Sequence, residues 1–176
     1  MITRRTFVTG LLGLVLAGPL GSGITAAGDD RTLRMYNVQT DERIEVPYCC
    51  GGKHDAAALE EINHFLRCHY TNEVRPMDVA VLDLLCTVRD AARARGELHI
   101  VSGYRSPEYN AMLKRSRHRV SRNSLHIYGQ AIDFIIPGLG SRKVSRIARS
   151  LSGGGVGQYP GFVHIDVGPV RHWKSS

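Results

Sequence analysis

The sequence predicts an α+β domain with a central antiparallel sheet packed on helices. Two observations favour this class. Stretches with apolar residues at helical spacing come mainly before Gly96, and short apolar runs bounded by turn residues come mainly after it. The chain has 176 residues, of which 43% are hydrophobic and 22% charged, so we expect one domain with a sizeable core.

The first half of the domain is predicted to be a hairpin followed by two helices. Residues 31–38 and 43–48 are strand-like runs, and the polar residues 40–42 between them favour a tight connection. Apolar residues at helical spacing then predict helices over residues 55–69 and 77–95.

The second half alternates short strands with short helices. Pro107 and Ser141 mark helix starts, and Pro-Gly pairs mark turns. The predicted elements are a strand over residues 98–101, a helix over 107–113, a polar basic loop over 114–122, a strand over 131–136, a helix from 141 to about 151, and a final hairpin of 156–159 with 162–167.

Residues 1–27 are predicted to be a twin-arginine signal peptide. Arg4 and Arg5 precede an uncharged apolar run, and small residues follow as far as Ala27. The run has about 14 residues, fewer than the roughly 20 that span a bilayer, and Gly and Pro residues interrupt it. We therefore expect export to the periplasm, with residues 28–176 as the mature domain and no stable transmembrane anchor after signal removal.

The positive charge points to an acidic partner. The formal charge is +7, and loss of Arg4 and Arg5 with the signal would leave 7 − 2 = +5. Such a charge suits nucleic acid, an anionic lipid surface or an acidic wall polymer. Because the chain carries an export signal and no recognisable nucleic-acid motif, a nucleic-acid partner is not expected.

The cysteines leave the disulfide question open. A bond between the neighbours Cys49 and Cys50 would be strained, whereas a bridge from this pair to Cys68 and plain buried thiols, including Cys86, are both compatible with the sequence. Their spacing does not match the cysteine pairs of a structural zinc site.

Two histidines and one aspartate form the strongest candidate site. His126 and Asp133 lie in the run Ser-Leu-His-Ile-Tyr-Gly-Gln-Ala-Ile-Asp, and His164 lies in the later run Phe-Val-His-Ile-Asp. Asp133 is in an otherwise apolar strand, where a carboxylate is costly unless it is paired or binds a metal. Two imidazoles and a carboxylate form a three-ligand zinc set that leaves a fourth position open, as catalytic zinc requires.

The other histidines are predicted to be ordinary core or surface residues. A lone histidine in a strand or helix is more often a hydrogen-bonded structural residue than a ligand. The histidines interpreted in this way are His54, His64, His69, His99, His118 and His172.

The pattern Ser-x-His-x-x-Gly-x-Ala-x-Asp with a later Val-His-Ile-Asp resembles the M15 family of zinc D-Ala-D-Ala peptidases. Within it, the glycine run 153–157 and the closing segment 168–173 resemble the YcbK-type (DUF882) branch of murein endopeptidases. The resemblance covers about residues 31–173 and implies the fold shared with lysostaphin and Hedgehog-type zinc domains.

The resemblance assigns roles to residues that match the family motifs. It implies that His126, Asp133 and His164 are the Zn²⁺ ligands. It also implies that Arg105, in the run Ser-Gly-Tyr-Arg-Ser, stabilises the oxyanion, since a cation there meets charge that develops in the transition state. Tyr104 and Ser124 are the candidate substrate-binding residues.

The general base is where this sequence departs from the family. Many relatives carry an acid three residues before the last zinc histidine, and others carry a histidine two residues before it, but here those positions are Gly161 and Phe162. Asp166 is expected on the same strand face as His164. It is the candidate catalytic base, with orientation of a metal ligand as the alternative role. Glu108 is a weaker candidate.

The resemblance implies a zinc endopeptidase that hydrolyses peptide cross-links of peptidoglycan. The D-alanyl-to-diaminopimelate link is expected first, and the diaminopimelate-to-diaminopimelate link second. The alternatives are a D,D-carboxypeptidase acting on stem peptides and a non-catalytic wall-binding module with structural zinc. The basic run over residues 114–122 is either a site for the carboxylates of stem peptides or a solvated loop.

Overall fold

The computed structural model of the chain describes residues 30–116, 121 and 123–175. The predicted signal peptide, residues 1–27, lies outside the described residues, as does most of the basic run after residue 116. Within the described ranges, no helix has the length and apolar character needed to cross a membrane.

The described chain forms eight strands and four α-helices. The strands are β1 (Arg31–Asn37), β2 (Arg43–Cys50), β3 (Lys53–His54), β4 (Leu98–Ser102), β5 (Ala131–Ile135), β6 (Gly155–Gln158), β7 (Val163–Asp166) and β8 (Arg171–Lys174). The helices are α1 (Ala56–Phe65), α2 (Val79–Ala91), α3 (Pro107–Ser116) and α4 (Ser141–Ser150), and a 3-10 helix spans Leu125–Tyr128.

The strands form one mixed sheet in the order β3-β2-β1-β4-β5-β7-β6-β8. The α+β class is confirmed, and most strand pairs are antiparallel as predicted, but two pairs depart from this pattern: β1 runs parallel to β4, and β6 runs parallel to β8. Each parallel pair has a physical cause. The segment with α1 and α2 crosses over the sheet before β4, and the chain passes β7 before β8 joins β6.

Two aspartates fix where the long helices begin. Asp55 accepts a hydrogen bond from the amide of Ala58 at the start of α1, and Asp78 accepts one from Ala80 at the start of α2. Such caps satisfy amides that have no partner inside the helix. The helices therefore begin one or two residues later than the apolar pattern predicts.

The two faces of the sheet have different roles. On β7, Val163 and Ile165 belong to the hydrophobic core. The alternate residues His164 and Asp166 therefore point to the other face. The core face is covered by helices. It contains Ile62 and Phe65 of α1, Val81, Leu82, Leu85 and Val88 of α2, and Val144 and Ala148 of α4.

No disulfide joins any of the four cysteines in the part of the chain that the structure describes. Cys49, Cys68 and Cys86 are buried and Cys50 is exposed. The structure thus agrees with the thiol alternative that the sequence left open.

The packing of the core predicts that two side-chain truncations differ strongly in their effect on the free energy of unfolding. Leu85 is 0% exposed and Val170 is 56% exposed. Leu85→Ala should lower the free energy of unfolding by about 2–5 kcal/mol because it leaves a cavity, whereas Val170→Ala should change it by less than about 0.5 kcal/mol. Urea denaturation followed by circular dichroism measures both, and equal midpoints for the two variants would contradict the packing described.

Candidate metal centre

Strand register brings the predicted ligands together. Asp133 on β5 is directly paired with His164 on β7. Both side chains point away from the helical face, because their neighbours Ile132 and Ile165 are in the core. The 3-10 helix supplies His126, whose ring is 2% exposed and lies against these two residues.

Three ligand atoms of this group lie within 4.8 Å of one another. His164 Nδ1 is 2.8 Å from Asp133 Oδ1 and 3.1 Å from His126 Nε2. His126 Nε2 is 3.2 Å from Asp133 Oδ1. Atoms that share one zinc ion at about 2.0–2.2 Å lie roughly 3.2–3.5 Å apart, so the observed spacing is close to that of a metal site.

Hydrogen bonds fix which nitrogen of each imidazole faces its neighbours. His126 Nδ1 lies 2.8 Å from the carbonyl oxygen of Gly103, which only accepts, so Nδ1 carries the proton. His164 Nε2 donates in the same way to Asp166 Oδ2 at 3.0 Å. When both rings are neutral, the bare Nε2 of His126, the bare Nδ1 of His164 and a carboxylate oxygen of Asp133 therefore converge.

Three electron-pair acceptors in contact repel one another unless a cation lies between them. A metal ion satisfies all three at once, whereas an extra proton on His164 satisfies the pair with Asp133 only. Partners on the outer nitrogens of metal-binding imidazoles are typical of metal sites, where they fix the ring orientation. The donor set therefore fits a divalent metal such as Zn²⁺.

The protonation states of His126 and Asp133 favour metal binding, whereas a metal would have to displace a proton from His164, whose pKa is raised. Burial, aided by the nearby Arg105 cation, lowers the pKa of His126, so its ring is neutral. Burial acts to raise the pKa of Asp133, but the imidazoles of His126 and His164 outweigh it and hold this pKa well below its usual range. Burial also acts to lower the pKa of His164, but Asp133 and Asp166 on its two sides raise it. Asp133 is consequently ionised, as a ligand must be.

Arg105 lies beside this cluster. It is 9% exposed, and its Nη2 is 3.3 Å from Asp133 Oδ2. Its buried Nε has no hydrogen-bond partner in the part of the chain that the structure describes. The structure thus places a buried cation next to the candidate ligands, as the predicted oxyanion role requires.

Asp166 lies behind His164 and does not line the cavity. It is 0% exposed, and its two carboxylate oxygens contact His164, Arg171 and the amides of Gly155 and Gly168. Against the effect of burial, these partners lower the pKa of Asp166 to about 2. Such contacts favour the orienting role, the second of the two interpretations that the sequence allows.

Arg171 holds Asp166 from the far side of a strand. Arg171 Nη1 lies 3.0 Å from Asp166 Oδ1, and Arg171 Nη2 lies 2.8 Å from Asp166 Oδ2. The strand between them, β6, has Gly155 paired with both residues. A Cβ at Gly155 would collide with Asp166 Oδ2 and would lie 2.7 Å from Arg171 Nη1. The missing side chain therefore lets the guanidinium reach the carboxylate.

Trp173 also reaches the candidate ligands by passing over a glycine of β6. Gly157 on β6 is paired with both His164 and Trp173, and a Cβ there would lie 2.5 Å from the indole ring. The indole centroid lies 5.2 Å from that of His164, and its Nε1 donates to the hydroxyl of Tyr159 at 2.9 Å. An aromatic wall thus flanks the cluster.

An open cavity of about 950 Å³ surrounds the cluster. It contains most of the predicted site residues. Those that line it are Arg105, Ser124, His126, Asp133 and His164.

Three candidates lie elsewhere. Tyr104 is 7% exposed, its hydroxyl is 3.3 Å from Glu73, and it lines a separate cavity with Tyr128. Asp166 is covered as described, and Glu108 is exposed in the first turn of α3. The structure thus brings the candidate ligands and Arg105 to one cavity but does not bring Tyr104 or Glu108 there.

Two residues that line the cavity cannot be identified as site residues from the sequence. Arg171 has no pattern around it that predicts a strand, so its pairing with Asp166 could not be foreseen. His69 lines the cavity, although nothing in its sequence surroundings distinguishes it from the other lone histidines. Only the tertiary approach of the segment after α1 to the segment after β4, seen in the bond from Tyr104 N to Leu66 O, brings it there.

The Arg171 contact can be tested by metal affinity. Arg171→Gln removes the cation that holds Asp166, so His164 loses its fixed orientation, and affinity for a divalent metal should fall about 10-fold or more. Arg34→Gln is the matched control, because Arg34 forms an exposed pair with Glu45 on β1 and β2. Competition with a chromophoric chelator measures both, and equal affinities would refute a supporting role.

Comparison with known proteins adds a family. The family model Peptidase_M15_2, described as "Peptidoglycan L,D-endopeptidase MepK", matches residues 25–173. No solved structure was found to match the chain, so the Hedgehog-like fold implied by the resemblance stays a prediction.

Curated relatives cover most of the chain. The chain is 38% identical over 147 residues to the "Probable peptidoglycan L,D-endopeptidase MepK" of Haemophilus influenzae, covering 82% of this chain and 79% of the relative. It is 36% identical over 145 residues to the "Peptidoglycan L,D-endopeptidase MepK" of Escherichia coli K12 and of Shigella flexneri, covering 81% of this chain and 80% of each relative. The predicted M15 resemblance is confirmed: the chain belongs to the Peptidase_M15_2 family.

Proposed function

We propose that this chain is a zinc-dependent endopeptidase that hydrolyses peptide cross-links of peptidoglycan. The observation that carries the proposal is the convergence of His126, Asp133 and His164 through bare acceptor atoms at the edge of an open cavity. Arg105 adds a buried cation at the same place. Membership of a peptidase family supports the reaction class.

The names of the relatives favour one cross-link over another. They specify an L,D-endopeptidase. This description fits the diaminopimelate-to-diaminopimelate link, which the sequence resemblance placed second, better than the D-alanyl link that it placed first. We propose the L,D link as the substrate bond.

Each residue has a separate task in this reaction. A zinc ion held by the three ligands would polarise the peptide carbonyl and lower the pKa of a water molecule. Arg105 would stabilise the negative charge that develops on the carbonyl oxygen in the transition state. Asp166 and Arg171 would keep His164 in its ligating orientation, and the fully buried Asp166 would not touch the substrate.

His69 is the residue we propose for proton transfer. Among the described residues that line the cavity, no carboxylate is present apart from Asp133, and no imidazole apart from the ligands and His69. Burial, and secondarily the charge of Arg105, lowers the pKa of His69, so its ring is neutral near pH 7 and can accept a proton. Its ring packs edge-on against Tyr109, with the centroids 4.8 Å apart.

The location we propose is the periplasm. The supporting observation is the Arg-Arg pair followed by an apolar run and small residues, an export pattern that would direct the chain through the twin-arginine pathway. Fractionation of cells that express the full chain, with and without an Arg4→Lys/Arg5→Lys substitution, tests this point. Retention in the cytoplasm in both cases would contradict it.

The ligand set is tested by zinc content and cleavage together. His126→Ala and His164→Ala should each lose bound zinc and release no products from purified sacculi, because each removes one of three ligands. His64→Ala, an exposed histidine of α1, is the matched control and should retain both. Elemental analysis measures zinc, and mass spectrometry of the released peptides identifies the bond that is cut.

Two results would contradict the proposal. Wild-type protein that binds sacculi but releases no peptides would be a wall-binding module. Products that are only terminal D-alanine would identify a carboxypeptidase.

The proton-transfer role predicts a specific defect. His69→Gln should lower kcat by about 10²–10⁴-fold, the usual contribution of a general base, while zinc content stays at the wild-type level. Added imidazole should restore part of the activity of His69→Ala, because a free base can enter the space left in an open cavity. Unchanged kcat in the His69→Gln variant would exclude the role.

A further inference from the structure

Helix α4 carries four cations and no acid. They are Arg142, Lys143, Arg146 and Arg149, in a helix that spans Ser141–Ser150. The first three are exposed and Arg149 is half-buried. None of the four forms an ion pair with any residue that the structure describes; the ion pairs lie on other elements.

The spacing of the three arginines of α4 places them on one stripe. Residues 142, 146 and 149 are four and three positions apart, so their side chains follow one line along the helix over about 10 Å. Like charges at such spacing weaken an isolated helix. The helix accepts this cost without an offsetting acid in its sequence.

This stripe faces away from the metal cluster. Val144 and Ala148 of α4 pack in the core with Val163 and Ile165 of β7. His164, between those two residues, points to the opposite face of the sheet. The cations of α4 therefore lie on the back of the domain and cannot contact a peptide bound in the cavity.

The side chains on the exposed surface of α4 indicate the kind of partner that it fits. A helix that lies on a membrane presents large apolar side chains next to its cations. Of the three apolar residues of α4, Val144 and Ala148 are 1% and 2% exposed and belong to the core, and Ile147 is half-buried. The surface that remains carries four cations and a single partly exposed apolar side chain, so it suits a hydrated polyanion better than a bilayer.

We propose that the α4 face, defined by Arg142, Lys143, Arg146 and Arg149, is a docking surface for the acidic stem peptides of peptidoglycan. The inference rests on the proposed function for the identity of the polymer. Arginine, which supplies three of these four cations, matches the planar carboxylate with paired donors. The enzyme would hold one strand of the mesh on its back while a cross-link occupies the cavity.

The test separates docking from catalysis. The triple variant Arg142→Gln/Lys143→Gln/Arg146→Gln should bind purified sacculi about 10-fold more weakly in a pelleting assay, since three small contributions from exposed ion pairs are lost together. Its kcat/KM on a soluble cross-linked muropeptide should equal that of the wild type, because the cavity is unaltered. Added salt should weaken wild-type binding towards that of the variant.

A matched variant controls for net charge. Arg34→Gln/Arg43→Gln/Lys53→Gln removes the same number of cations of the same types from exposed positions of β1, β2 and β3. It should bind sacculi as the wild type does. Equal losses in the two triple variants would mean that net charge alone drives binding, and this would overturn the proposal.

One further outcome identifies another partner. Wild-type binding to phosphatidylglycerol vesicles that depends on α4, with no α4-dependent binding to sacculi, would assign the face to a membrane and overturn the proposal.

A failure of the proposed function can be distinguished from a failure of this proposal. Wild-type protein that cleaves neither sacculi nor the soluble muropeptide would refute the proposed function alone, because the pelleting assay would still decide whether the α4 face docks on the wall.

Discussion

The site depends on three acceptor atoms being forced into contact. His126 Nε2, His164 Nδ1 and Asp133 Oδ1 face one another because the outer nitrogen of each imidazole is already bonded, to Gly103 and to Asp166 respectively. Without those outer bonds each ring could turn or change tautomer and the repulsion would disappear. The protein therefore uses ordinary hydrogen bonds to maintain an arrangement that only a cation makes favourable, which is how a metal site is preorganised.

Strand β6 makes this support possible because two of its residues are glycines without side chains. Gly155 and Gly157 lie between β7 and β8, and each leaves room for a side chain of β8 to pass over the strand, Arg171 towards Asp166 and Trp173 towards His164. Side chains from two strands apart are normally kept separate by the residues between them. The glycine run in the sequence is thus part of the site, although no glycine touches a reacting group.

The sequence predicts the ligands better than it predicts their surroundings. Asp133 could be identified as a candidate because a carboxylate in an otherwise apolar strand is locally unusual. His126 and His164 could be identified because their motifs, taken together with Asp133, resemble those of a zinc peptidase family. The mixed sheet and the contact of Arg171 with Asp166 could not be predicted, because β8 is short, lacks apolar alternation and pairs parallel to a strand distant in the chain. Tyr104 shows the opposite error. It neighbours Arg105 in sequence, but its side chain turns towards Glu73.

Strand β8 lies at the edge of the sheet and has a single neighbour, β6. Edge segments of a few residues open locally at a small fraction of the free energy needed for global unfolding. Such fraying would withdraw Arg171 from Asp166 while the core stays folded. Retention of a metal ion bound at the His126–Asp133–His164 cluster would then follow the local opening of this edge rather than the melting temperature of the domain, and hydrogen exchange at the amides of β8 would report the opening.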